Sequence, residues 1–78
     1  MNEPEKLERQ YLAEADQHIA DATERIAGLQ AHIADLEREG RDAAAARDAL
    51  QVLQAMLQLM VDHRAMIARL LETPDLRR

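Results

Sequence analysis

The chain has 78 residues, a formal net charge of −5, no Cys, Trp or Phe, one Tyr and two Gly. Without Cys there is no disulfide scaffold, zinc finger or thiol nucleophile; with two Gly there is no phosphate-cradling glycine loop; with one aromatic there is no base-stacking platform. Fifteen Ala and eleven Leu among Glu, Arg and Gln, with few strand formers, predict long helices.

The first helix is expected over about residues 3–39. Asn2 is a good N-cap, and Glu3, Pro4 and Glu5 suit a first turn, where Pro loses no needed hydrogen bond and carboxylates meet the positive end of the dipole. Gly40 is the natural stop. Within this helix Leu12, Ala15, Ile19, Ala22, Ile26, Leu29, Ile33 and Leu36 alternate spacings of three and four, which is a heptad seam.

A short turn at residues 40–42 follows, with Asp42 placed to cap a second helix over about residues 43–72. Thr73-Pro74 ends that helix, because the residue before Pro avoids the helical region, and residues 73–78 are expected to form a tail. The two helices span roughly 36 and 30 residues, about 54 and 45 Å, and so short a link makes them antiparallel.

The second helix carries two apolar seams. The first is Ala46, Leu50, Leu53, Leu57, Met60, Arg64, Ile67 and Leu71; the second is Ala49, Val52, Met56, Leu59, His63, Met66 and Leu70. A hairpin closed at residues 40–42 sets Leu29 near Leu53, Ile26 near Leu57 and Ala22 near Met60, so small residues meet large ones. That pairing consumes only the first seam. The second leaves Val52, Met56, Leu59, Met66 and Leu70 uncovered, and covering each is worth roughly 1.5–3 kcal/mol before association costs. The expected fold is therefore an all-α antiparallel two-helix hairpin that dimerises into a four-helix bundle. A heterologous protein supplying the missing helices is the other solution.

Polar residues near the seams offer little chemistry. His18 and His32 lie about 21 Å apart along the helix, too far to share a metal, and Glu14–His18 is an ordinary surface pair. His63 interrupts the second seam; it reads as a register-fixing polar residue, or as a proton-sensitive or soft-metal contact with Met at a two-fold axis. Arg64 interrupts the first seam, with a stem able to lie on apolar surface and a head within reach of Asp16 or solvent. Ala13, Ala20, Ala27 and Ala34 form a small-residue stripe, consistent with helix propensity alone. No carboxylate lies within an apolar stripe and no His sits in an evident triad, so neither an enzyme, a cofactor nor a metal is expected.

Residues 1–39 carry a net charge of −6 and residues 40–78 a net of +1, and an acidic chain disfavours duplex nucleic acid despite Arg38, Arg41 and Arg47 near the hairpin tip. The start is polar and acidic, unlike a signal peptide, and glutamines interrupt the longest apolar run; a cytoplasmic protein with no membrane span is expected.

The run HIADATERIAGLQAHIADLERE, the Gly40-Arg41-Asp42 turn and the Leu/Met-rich second helix with His63-Arg64 resemble the small uncharacterised helical-hairpin proteins of high-GC alphaproteobacteria. The resemblance spans most of the chain and implies a bacterial origin, with no activity to transfer. At the level of architecture alone the hairpin is also similar to the Rop family, acidic hairpins that dimerise into four-helix bundles and bind paired RNA loops; no motif is shared, and no RNA-facing residue carries over. The expected role is a non-enzymatic, self-associating interaction module, an adaptor or regulator. The alternative is a Rop-like nucleic-acid regulator, which an absorbance excess at 260 nm in nuclease-free preparations would reveal.

Overall fold

The computed structural model describes residues 3–72. It contains two helices, α1 over Glu3–Arg38 and α2 over Ala44–Glu72, and no strand among the described residues. The Asn2 cap, the Thr73-Pro74 stop and the tail at residues 73–78 lie outside the described residues. Both helices stop one residue inside the expected limits at the turn. The reason lies in the backbone of the connection.

Gly40 has φ of 69°, the left-handed region open to glycine. Its amide donates to the Glu37 carbonyl at 3.1 Å, and the Arg41 amide donates to the Leu36 carbonyl at 2.8 Å. These two bonds form a Schellman closure, which satisfies carbonyls that the last turn of α1 leaves without partners. Two residues later the Asp42 carboxylate accepts the Ala44 amide at 2.9 Å and caps the first turn of α2. One glycine and one aspartate thus end one helix and start the next, and the chain reverses within a few residues.

The helices then run side by side. Two ion pairs link them near opposite ends: Arg47 to Glu37 at 2.7 Å, close to the turn, and Arg64 to Asp16 at 2.7 Å, toward the open end. Together they establish the antiparallel alignment. The Cα envelope measures 59 × 17 × 14 Å, one helix thick in its shortest dimension.

The core is the seam between the helices. Ala22, Ile26, Ile33 and Leu36 of α1 are buried, as is Ala43 in the turn. Leu12, Ala15, Ile19 and Leu29 complete the α1 series and are partly covered. Across from them Ala46, Leu50, Leu53, Leu57, Met60, Arg64, Ile67 and Leu71 are all partly covered. Packing is tightest at the turn, where Ile33, Leu36 and Ala43 cluster with Leu29, Ala46 and Leu50. Yet α2, the more apolar helix, contains no buried residue. A two-helix layer can cover each seam from one side only, so the wide apolar arc of α2 outruns what α1 can shield.

Candidate oligomerisation surface

The uncovered part of that arc is a continuous stripe. Ala49, Val52, Met56, Leu59, His63, Met66 and Leu70 recur at spacings of three and four along α2, and all are exposed. Leu59 is 69 % exposed and Val52 59 %, values that belong to a surface position rather than to a core one. Leu57, two residues from Leu59 on the same helix, is partly covered by α1. A two-residue step turns the side chain by about 200° around a helix, which separates the two faces.

The hairpin has two unlike flanks. In heptad terms Asp16, Thr23, Gln30 and Glu37 lie on one side of the α1 seam, and this flank holds the Arg47–Glu37 and Arg64–Asp16 ion pairs. The Asp16 carboxylate, by hydrogen bonding first and by charge second, holds the Arg64 guanidinium further above its ordinary pKa, against a small opposing effect of desolvation. Arg64 reaches across the seam to this carboxylate while its side chain stays partly in solvent.

On the other flank lie Tyr11, His18, Arg25 and His32, with Leu7, Glu14, Asp21, Gly28 and Asp35 beyond them, all exposed. Here the hairpin is open. His18, Asp21, Ala22 and Arg25 of α1 and Leu53, Met56 and Met60 of α2 line a shallow groove of about 160 Å³. Asp21 accepts a hydrogen bond from Gln17 within α1 at 3.0 Å. The α2 stripe forms the apolar edge of this flank. Leu7 and Tyr11 prolong the apolar surface toward the open end. Sequence reasoning missed them because they precede the seam; their heptad positions, shared with Glu14 and His18, were the available signal.

The remaining sequence candidates are placed simply. Ala13, Ala20, Ala27 and Ala34 face solvent, and a Cβ at Gly28 would meet nothing within 4 Å. His18, His32 and His63 are exposed. Among the described residues no polar or charged residue is buried, and no group of three His, Cys, Asp or Glu side chains comes together as a metal cage. Arg38 pairs with Asp35 and Arg41 with Glu39, so two of the tip arginines are engaged by neighbouring carboxylates, and Arg47 is held by Glu37. No described helix is long and apolar enough to cross a membrane.

What these features define is a two-helix antiparallel hairpin with one ion-paired flank and one uncovered apolar flank. No family model, curated protein or solved structure matches the chain.

Proposed function

We propose that the chain is a non-enzymatic, self-associating helical module whose working form is a dimer, a four-helix bundle built from two hairpins. The single observation that carries this reading is that the more apolar helix, α2, has no buried residue while Val52, Met56, Leu59, Met66 and Leu70 stand 40–69 % exposed in one stripe. Covering these five side chains is worth of order 1 kcal/mol each, because about half of each is already shielded. An isolated hairpin of this size is otherwise marginal, and a second copy is the one partner present wherever the chain is present. In such a dimer the α2 stripes lie at the centre, and the face of α1 turned away from the open flank keeps its charges toward solvent and any further protein that the assembly recruits.

Light scattering across a range of concentrations, on the chain and on Leu59→Asp, tests the proposal. A mass near twice 8.8 kDa for the chain, falling to 8.8 kDa for the variant with helix content retained, supports it. A monomer at every concentration sinks it. A dimer unaffected by Leu59→Asp places the interface elsewhere.

A further inference from the structure

We infer that two hairpins associate with their α2 helices antiparallel, about a two-fold axis at Leu59, so that α1 of each copy lies antiparallel to α1 of the other. The inference rests on the self-association proposed above and adds its orientation and register. Two independent patterns lead to it.

The first is the shape of the α2 stripe. Its members run from Ala49 to Leu70, so its midpoint falls at Leu59 and Met60. Antiparallel packing about that midpoint sets Leu59 against Leu59 of the partner subunit and Val52 against Met66 of the partner subunit. It also sets Met56 beside His63 of the partner subunit and Ala49 beside Leu70 of the partner subunit. Each narrow residue faces a wide one, and the seam keeps an even width. Parallel packing would instead oppose Ala49 to Ala49 and His63 to His63, leaving a gap at one end and setting the two imidazoles directly against each other.

The second pattern is charge on α1, a helix the first pattern does not use. The hairpin itself relates the two helices in height. Asp16 bonds Arg64 toward the open end and Glu37 bonds Arg47 near the turn, and the midpoint of these two pairs sets Leu59 on α2 about level with Thr23 on α1. An axis at that height pairs α1 residues placed symmetrically around Thr23. On the open flank these are Asp21 with Arg25, Glu14 with His32, His18 with Gly28, and Tyr11 with Asp35. Acid meets base twice, and the imidazole of His18 meets the one residue of this flank without a side chain. In the parallel arrangement the two-fold axis runs along the helices and carries α1 of each copy to the far side of the α2 pair, so these complementary α1 pairs are not formed.

Charge along the whole hairpin has the same sense. The open half, residues 3–24 and 58–72, carries nine acids and four bases, whereas the turn half, residues 25–57, carries five acids and four bases. Parallel packing would put the two strongly acidic halves together. Antiparallel packing sets each beside the nearly neutral half of the other copy.

The absence of Cys makes the test clean. Val52→Cys, Met66→Cys and the double variant carrying both would be equilibrated in a glutathione redox buffer, resolved on a non-reducing denaturing gel and checked for mass by light scattering. Within one helix positions 52 and 66 are about 21 Å apart and cannot bond to each other. The double variant is expected to run as a covalent dimer and both single variants as monomers, with Ala49→Cys/Leu70→Cys behaving like the first double variant. Cross-linking of either single variant to itself would show parallel packing and overturn the inference. So would failure of both double variants to cross-link in a chain that scatters as a dimer, and this leaves self-association standing. A chain that scatters as a monomer removes both proposals together.

Discussion

At Gly40 a single φ angle decides whether the chain turns back on itself. Any residue with a Cβ pays about 1–2 kcal/mol in the left-handed region, so Gly40→Ala is expected to destabilise the hairpin by about 1 kcal/mol. Asp42→Ala removes the acceptor for the Ala44 amide and is expected to cost about 1 kcal/mol as well. For a chain of this length each change lowers the melting temperature by about 4–8 °C per kcal/mol, read by circular dichroism. The two act on separate helix ends through separate bonds, and additive losses are expected. Arg64 behaves differently with pH from the usual carboxylate partner. Its pKa is raised by Asp16, so its contribution is fully present below its ordinary value and is lost only in strong alkali. The Arg64 side of the pair adds no pH dependence near neutrality.

Between the helices, the same residue type two positions apart has two different jobs. Leu57 packs into the hairpin seam and Leu59 stands on the open stripe. Leu57→Ala removes contacts with α1 and is expected to cost about 2 kcal/mol, at the low end for a core truncation because the residue is only partly covered. Leu59→Ala is expected to leave the stability of the isolated hairpin within about 0.5 kcal/mol of the parent, since an exposed side chain loses little by truncation. Its effect belongs to association. Thermal melts in a monomeric background, with the α2 stripe carrying Val52→Asp, separate the two; equal losses for Leu57→Ala and Leu59→Ala would contradict this division of α2 into faces.

For the molecule as a whole, the proposed self-association would make stability and assembly one equilibrium. If two copies bury the stripe, the melting temperature rises with chain concentration, and Leu59→Asp abolishes that dependence. The charges of α1 then tune how tightly the copies hold. Arg25→Asp is expected to weaken the antiparallel dimer by a few-fold, because it sets a new carboxylate against Asp21 of the partner subunit. Asp21→Arg combined with Arg25→Asp restores opposite charges, and the dimer is expected to recover. Sedimentation at low and at high salt checks both, since screening shrinks the difference between variants. An unchanged dissociation constant for Arg25→Asp at low salt would remove the α1 charges from the interface.

Much of the hairpin was legible beforehand because it depends on short-range rules. The alternation of three and four from Leu12 to Leu36 marks one face of a helix whatever lies across from it, and Gly40 and Asp42 carry their turn chemistry in their own backbones and side chains. The two seams of α2 were equally plain as a pattern. Which seam faces α1 was readable too, because a hairpin closed at residues 40–42 sets Leu53 and Leu57 opposite α1 and leaves Leu59 outside, and the folded chain has Leu57 covered and Leu59 bare. The open flank was harder to read, since His18, Asp21 and Arg25 come from one helix and Met56 and Met60 from the other, and their meeting depends on the register between helices. Arg64 shows the limit at a single residue. Its sequence position allowed solvent or Asp16 as a destination, and the tertiary structure chose Asp16, because the antiparallel alignment brings a carboxylate 48 positions away to 2.7 Å. Local chemistry thus determined the helices, their ends, their apolar stripes and the stripe that a closed hairpin leaves uncovered, while the register between the helices decided which polar side chains meet across them.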